Sequence, residues 1–305
     1  MLDAAGQPAL ITTAATGLQT SNAALSPDGS QLLYLTGDPP DIWLLDLGSG
    51  VARNLTKSPD QGERTMQWWP ARPETIIFTT VPVGTDSLGP GTLGAVAVDG
   101  TGYQLLDPEG ETSSLPALSP DGVTIAYASG GMVLYEWGRG AAPLDGAAFG
   151  LDFAKAAIPA WSPDGQRLAW RLHGPLPNSD GWGGVTILDL AAGSGQVLHQ
   201  YPLLAGSEIY GSNTWSADGR WLAATTQAEF SGEKTSLWVF DTQSGAGQHL
   251  GSGDHPLWRP DGTALVYKTW PGGECADWEA RLVVPGSWES WTLIVPGCAH
   301  LVGWR

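Results

Sequence analysis

The chain has 305 residues, of which 42% are hydrophobic and only 15% are charged, a balance that favours a folded core over disorder. Its 42 glycines and 23 prolines exceed a fifth of the residues, which favours many turns and an all-β fold over long helices. With 14 basic and 31 acidic residues the net charge is −17, which argues against nucleic acid and anionic membrane surfaces as partners.

In chain order, the first predicted element is a strand at 6–17, and a repeated motif begins directly after it. An apolar residue, often Trp, precedes Ser-Pro-Asp-Gly, and a five-residue run rich in β-branched and aromatic side chains follows. Clear copies begin at residues 24, 117, 160, 214 and 257, and a degenerate copy, WWPARPETIIFT, occupies 68–79. With Arg72 aligned to the motif Asp, successive copies lie 43 to 54 residues apart, a spacing typical of propeller blades or helical arrays.

Two further apolar runs follow most copies, so each repeat predicts four antiparallel strands and a helical array is disfavoured. The third-strand runs are 41–47, 94–100, 132–137, 184–190, 236–241 and 280–284. A lone four-stranded sheet exposes two faces and two edges, so it needs neighbours stacked against it. Radial stacking of six such sheets predicts an all-β, six-bladed β-propeller.

The first repeat resembles the WD40-like (PD40) repeat of the TolB-like six-bladed propellers. The matching segments are the turn at 26–29, the Ile-Trp-Leu-Leu-Asp run at 42–46 and Arg-Asn-Leu-Thr at 53–56. The resemblance extends over the whole chain and implies a single domain, 1–305, whose terminal strands at 6–17 and 300–305 meet beside the sixth blade. Seven blades would need second and third strands that the sequence does not supply.

The motif aspartates are interpreted as turn residues. Proline presets the backbone angle at the second turn position, Asp accepts hydrogen bonds from nearby backbone N–H groups, and Gly takes the left-handed conformation. One carboxylate per turn is too few ligands for calcium, which takes six to eight oxygens. The residues concerned are Asp28, Asp121, Asp164, Asp218 and Asp261.

The 16 tryptophans divide into two sets. Those before the turn, with Trp69 representing the degenerate copy, and those in the third strand are predicted to pack between blades. The others break the repeat and are candidates for binding a partner protein or a sugar ring, with packing of a long loop as the alternative. The binding candidates are Trp68, Trp182, Trp270, Trp278 and Trp288.

Histidine and cysteine add two further hypotheses. His255 and His300 each precede an inner-strand Trp, so they could share a divalent cation with Asp254 where the channel of a propeller opens. Two imidazoles do not define a metal site, so no cofactor is expected and the cation remains the alternative. Cys275 and Cys298 can form a disulfide, which would indicate an oxidising compartment, or can be two buried thiols.

No nucleophile elbow, phosphate loop or zinc-protease motif is present in the sequence. We therefore expect a non-catalytic scaffold that binds a protein, with a glycan as the second choice. The resemblance implies a periplasmic or extracellular location, although residues 1–25 do not show a secretory signal pattern. The alternatives are a metal-dependent lyase or hydrolase at the channel mouth and a lectin-like propeller. Binding is expected in the long loops at 81–92, 143–157, 173–183 and 269–279.

Overall fold

The computed structural model describes residues 23–84, 91–108, 116–153, 155–174, 181–202, 212–227, 235–269 and 279–293. In this part of the chain, 24 strands form six antiparallel sheets of four strands each, and within every sheet the strands follow one another in chain order. The only helical element among these residues is a short 3-10 turn, Gly146–Phe149. The predicted fold class, an all-β six-bladed propeller, is confirmed. No helix in the described ranges is long and apolar enough to cross a membrane.

The chain divides into two compact units, and the first, Met1–Leu144, contains sheets 1 to 3. Their strands are β1 (Ala23–Leu25), β2 (Gln31–Gly37), β3 (Pro40–Asp46), β4 (Ala52–Asn54), β5 (Gln61–Trp68), β6 (Thr75–Pro82), β7 (Thr92–Ala97), β8 (Gln104–Leu105), β9 (Ala117–Leu118), β10 (Thr124–Ala128), β11 (Met132–Glu136) and β12 (Gly140–Leu144).

The second unit, Asp145–Arg305, contains sheets 4 to 6. Their strands are β13 (Lys155–Trp161), β14 (Arg167–His173), β15 (Trp182–Asp189), β16 (Ser194–Pro202), β17 (Asn213–Trp215), β18 (Trp221–Gln227), β19 (Thr235–Asp241), β20 (Gly247–Ser252), β21 (Asp254–Trp258), β22 (Leu265–Thr269), β23 (Glu279–Val284) and β24 (Glu289–Leu293).

Ser-Pro-Asp-Gly forms the turn between the first two strands of a sheet. In all five clear copies the Gly N–H donates to the carbonyl three residues earlier at 2.8 to 2.9 Å, and the Gly φ lies between +67° and +73°. The Asp carboxylate accepts the N–H two residues later at 3.0 to 3.1 Å. In sheet 4, the Ser162 hydroxyl donates to Asp164 at 2.5 Å and lowers the pKa of that carboxyl. Asp164 is therefore an ionised acceptor within the turn.

The degenerate copy in sheet 2 is shifted by one residue from the sequence alignment. Arg72 N–H donates to Trp69 O, the bond that Gly N–H makes to Ser O elsewhere, so Arg72 takes the glycine position. Trp68 therefore takes the position before the turn that the sequence assigned to Trp69. Without Asp-Gly to fix the alignment, two adjacent tryptophans fit the pattern equally well.

Tryptophans at this position link neighbouring sheets within each unit. Trp68 Nε1 donates to Ala24 O at 3.1 Å. Trp215 Nε1 donates to Ala160 O, and Trp258 Nε1 to Thr214 O, each at 3.0 Å. The acceptor lies in every case on the first strand of the preceding sheet, so each indole fixes the spacing of two first strands while its ring packs between them.

The apolar residues of the middle sheets alternate between two neighbours. In sheet 2, Ile76 and Phe78 pack with sheet 1, whereas Ile77 packs with sheet 3. In sheet 5, Leu222 packs with sheet 4, whereas Ala223 packs with sheet 6. Both faces of these sheets are covered, which explains the continuous apolar runs of their second strands.

The terminal segments 6–17 and 300–305, Cys275 and Cys298 lie outside the described residues. The single domain with meeting termini, and the disulfide, therefore stay predictions.

Candidate functional site: buried charges at one end of the sheets

Each sheet has two chemically different ends. We call the end that carries the Ser-Pro-Asp-Gly turn, or its equivalent 69–72, the turn end. The opposite end, the loop end, receives the connection between the second and third strands. Those connections are 38–39, 83–91, 129–131, 174–181, 228–234 and 270–278.

Four charged or imidazole side chains are buried among the described residues, and all four lie toward the loop end of their strands. Glu63 is the third residue of β5, Arg171 and His173 end β14, and Lys268 lies near the end of β22. Burying such groups is costly unless each is compensated by a partner or a changed protonation state. In each unit, these buried charges mark the loop end of the sheets as a candidate functional surface.

In the first unit, Glu63 belongs to a cluster that we call the carboxylate pair, formed with Asp41 at the start of β3. Glu63 is fully buried. Ser58 Oγ lies 2.6 Å from Glu63 Oε1 and 3.4 Å from Asp41 Oδ1. Thr56 Oγ1 lies 3.2 Å from Glu63 Oε2 and 3.1 Å from Asp41 Oδ1. Two hydroxyl groups therefore bridge two carboxyl groups, and the Tyr103 hydroxyl approaches Glu63 Oε1 at 3.5 Å.

This environment changes the protonation of Glu63. Burial and the charge of Asp41 together raise the pKa of Glu63 to about 7, against the opposing effect of the Ser58 and Thr56 hydroxyls. Burial, together with the Glu63 charge, raises the pKa of Tyr103 to about 12. Glu63 therefore exchanges its proton near neutral pH, whereas Tyr103 keeps its phenolic proton.

Local sequence explains why Glu63 reaches Asp41. Gly62 precedes Glu63 in β5, and a Cβ on it would lie only 3.2 Å from Pro40 Cδ, so glycine permits the close approach of β5 to the start of β3. A bulge between Glu63 and Thr65 interrupts the pairing of β5 with β6 at the same point. Bulges re-aim side chains beside functional sites.

In the second unit, the loop end of sheet 4 carries a second group, which we call the basic cluster. Its members are Lys155, Arg171, His173 and Tyr201. Arg171 is fully buried, and its Nη1 donates to the Tyr201 hydroxyl at 3.3 Å. His173 pairs with the exposed Lys155 across β13 and β14.

His173 is buried, and its Nε2 has no hydrogen-bond partner in the described part of the chain. Burial, together with the charges of Arg171 and Lys155, lowers the pKa of His173 to about 4. The imidazole is therefore neutral near physiological pH. Positive charge at this end comes from Arg171 and Lys155, in a chain whose net charge is −17.

An aromatic row connects sheets 4 and 5 beside the basic cluster. Ring centroids are 5.8 Å apart for Tyr201 and His199, and 4.2 Å apart for His199 and Trp238. Trp238 lies 4.9 Å from His249 on its other side. The sequence offered no patterned partner for either histidine: the contact of His199 with Trp238 joins two repeats, and the contact of His249 with Trp238 joins two strands of one repeat.

The tryptophan candidates do not converge on one surface. Trp68 is buried and links sheets, as described above. Trp182 lies at the loop end of sheet 4, where its indole packs over Gly174 and Gly184. Trp288 lies in the turn between β23 and β24, at the turn end, with its ring edge-on to Trp221 at 5.8 Å. Trp270 and Trp278 lie outside the described residues.

The predicted cation ligands are represented only by His255 and Asp254. His255 Nδ1 lies 3.1 Å from Asp254 Oδ2, and both side chains are about half exposed. Burial raises the pKa of Asp254, but the hydrogen bond from His255 and the nearby positive charges outweigh it, so the pKa lies below its usual value. No group of three metal-ligating residues occurs among the described residues. His300, the proposed third ligand, lies outside them.

Known structures of the same fold include binding proteins and enzymes. No protein-family model and no curated protein matches the sequence. Among solved structures, TolB from Acinetobacter baumannii matches with a TM-score of 0.54 and 19% identity over 76% of this chain and 54% of that one. The chain thus spans about half of that TolB chain.

Two further structures extend the comparison. An oligogalacturonate lyase in complex with manganese matches with a TM-score of 0.67 and 16% identity, covering 94% of this chain and 82% of that one. A chain of the mitotic checkpoint complex matches with a TM-score of 0.63 and 11% identity, covering 97% and 87%. At these identities the likeness establishes the propeller fold, and function has to be argued from the site.

Proposed function

We propose that the protein is a non-catalytic scaffold that binds a protein partner through the loop end of its sheets. The observation that carries this proposal is the position of the buried charges, since Glu63, Arg171, His173 and Lys268 all lie toward that end. The four long loops expected from the sequence are also assigned to it, because the described strands that flank each of them end or begin at the loop end. Variable loops on a rigid β-scaffold are the usual carriers of recognition.

The chemistry of the turn end supports the same assignment. There, Ser, Asp and Gly satisfy one another and the turn backbone, as at Ser119 and Asp121, whose Oγ and Oδ1 lie 2.5 Å apart. These side chains are explained by the structure of the turn alone. The mitotic checkpoint complex is an assembly of proteins that contains this fold, which supports a protein partner in general terms.

At sheet 4 the structure favours an acidic group on the partner. Lys155 is exposed and lies near Arg171, so this part of the surface would attract a carboxylate of the partner. The chain as a whole is strongly acidic and would repel the same carboxylate at a distance. We also propose a periplasmic or extracellular location, supported by the likeness of fold to TolB.

The test is a pair of matched charge reversals. Partner proteins are captured by crosslinking to the intact chain in extracts of the source cell, and the captured protein is then purified for affinity measurements. Lys155→Glu at the loop end is expected to weaken binding about tenfold or more, which corresponds to about 1.4 kcal/mol. Arg139→Glu makes the same charge change on an exposed side chain at the turn end of sheet 3 and should leave affinity unchanged. Equal losses in both variants would contradict the assignment of the loop end.

A second candidate function, a metal-dependent lyase or hydrolase, is favoured by one observation. Asp254 and His255 lie side by side, half exposed, on the first strand of sheet 6, and such a pair can supply two ligands to a cation. Metal analysis of protein purified without chelator tests this candidate. A stoichiometric ion that is lost in His255→Ala would replace the scaffold proposal by the metal-dependent one.

A further inference from the structure

The connector between β4 and β5, residues 55–60, begins with a backbone bond from Leu55 N–H to Ile42 O at 2.8 Å, and Asp41 holds the part that follows. Ser58 N–H donates to Asp41 Oδ1 at 3.1 Å, and Asn54 Nδ2 donates to Asp41 Oδ2 at 2.7 Å. Asn54 Oδ1 in turn accepts the N–H groups of Thr56 and Lys57, each at 3.1 Å. Lys57 has a φ of +50°, an unfavourable value for a residue with a side chain. From Thr56 to Ser58 the connector is therefore a strained turn whose N–H groups depend on side-chain acceptors.

The hydrogen bonds of the carboxylate pair cannot all form when both carboxyl groups are ionised. Thr56 Oγ1 accepts Ile42 N–H at 3.0 Å and contacts both Asp41 Oδ1 and Glu63 Oε2. A hydroxyl has one proton to donate, so it can bond only one of two ionised carboxylates. If Glu63 carries a proton, its O–H donates to Thr56 Oγ1, the Thr56 O–H donates to Asp41, and Ser58 donates to the other Glu63 oxygen. Each of the contacts at 3.2 Å or less among Thr56, Ser58, Asp41 and Glu63 is then a hydrogen bond.

We propose that Glu63 is a proton-operated latch for the 55–60 connector: the protonated side chain holds the connector against sheet 1, and ionisation releases it. Ionisation removes the donor to Thr56 and places a second negative charge beside Asp41, within a site too buried for water to screen the repulsion. The strained turn at Lys57 then relaxes at the loop end.

The groups around Glu63 support titration near neutral pH, in agreement with its raised pKa. The ionisable groups that contact it are Asp41 from β3 and Tyr103 from the segment before β8, and neither supplies positive charge. Lys57 and Asp60 on the connector are exposed. Arg64, the next residue in β5, is engaged in an interaction of its own. Asp41 is the only charged group among the main causes of the raised pKa of Glu63, and burial is the largest of those causes.

Hydrogen exchange of the intact protein tests the latch. After correction for intrinsic exchange rates, amide protection of the connector is expected to fall about tenfold per pH unit above the midpoint of the transition. Glu63→Gln, which keeps a donor at this position, is expected to hold the connector protected over the whole range from about pH 5.5 to 8.5. Asp99→Asn, which removes an exposed carboxylate of the same unit, should retain the wild-type pH dependence.

A measurement on the unmodified protein covers the case in which Glu63→Gln does not fold. In carbonyl ¹³C NMR of glutamate-labelled protein, one carboxyl resonance should titrate near neutral pH, well above the ordinary range of glutamate. The proposal is overturned if every glutamate titrates in the ordinary range, or if connector protection does not change with pH. It is also overturned if the change persists in Glu63→Gln.

Discussion

His173 makes a quantitative prediction about stability against pH. Its pKa falls from 6.5 to about 4 on folding, because burial and two neighbouring cations penalise the imidazolium form. The folded state thus binds its proton more weakly than the unfolded state, so stability is complete above pH 6.5 and is lost as the pH falls toward 4. At 1.36 kcal/mol per pKa unit, the total loss is about 3 kcal/mol.

The assay is the free energy of unfolding from urea titrations at closely spaced pH values, compared between the wild type and His173→Gln. The variant cannot ionise, so the wild-type curve should fall relative to it by about 3 kcal/mol between pH 6.5 and 4. Lys155→Gln removes one of the two cations and should reduce that difference. The reasoning is refuted if the two curves stay parallel, because His173 would then bind its proton equally well in both states.

Two further predictions concern the packing of the sheets. Trp215→Phe removes the indole bond to Ala160 O and should lower the free energy of unfolding by about 1–3 kcal/mol. Trp291 is 48% exposed on β24, so Trp291→Phe should change the free energy of unfolding by less than about 0.5 kcal/mol. Gly122 and Gly130 share a φ of +67°, but their surroundings differ. A Cβ added at Gly122 would lie 2.0 Å from the Cβ of Ala71, whereas a Cβ added at Gly130 would have no heavy atom within 4 Å. Gly130→Ala should therefore cost about 1 kcal/mol in thermal or urea unfolding, and Gly122→Ala about 2 kcal/mol more; equal costs would contradict the packing argument.

The fold could be predicted from the sequence because its signals are local. Each Ser-Pro-Asp-Gly turn is made by residues within five positions of one another, as in the bond from Arg167 N–H to Ser162 Oγ. The local rule failed once, at residues 68–72, where Asp and Gly are both missing and the alignment slipped by one residue. The structure fixes that register through the turn bond from Arg72 N–H to Trp69 O and through the bond from Trp68 to Ala24, 44 positions away.

The candidate site was missed because its contacts join distant segments. Asp41 and Glu63 belong to different sheets, and nothing in the sequence between them indicates that Thr56 and Ser58 bridge the two. A weaker signal was present in RLAWRLH, residues 167–173, where Arg171 and His173 interrupt an otherwise apolar strand. A charged residue in a strand that is buried on both faces is a better indicator of a site than a tryptophan outside the repeat pattern. The buried charge has to be compensated, whereas the tryptophan can be accommodated by packing alone.

The two ends of the sheets have different roles in our proposal: the turn end stabilises the fold, and the loop end binds the partner. At the turn end the same few bonds recur from sheet to sheet, so a substitution there acts mainly on folding. At the loop end, Glu63 and His173 are buried and occur once each. The pKa of Glu63 is raised and the pKa of His173 is lowered, so burial favours the neutral form of both side chains. Both are neutral over a shared window of mildly acidic pH. Glu63 ionises above that window and His173 takes up a proton below it, so connector order is expected to change near neutral pH and stability toward pH 4.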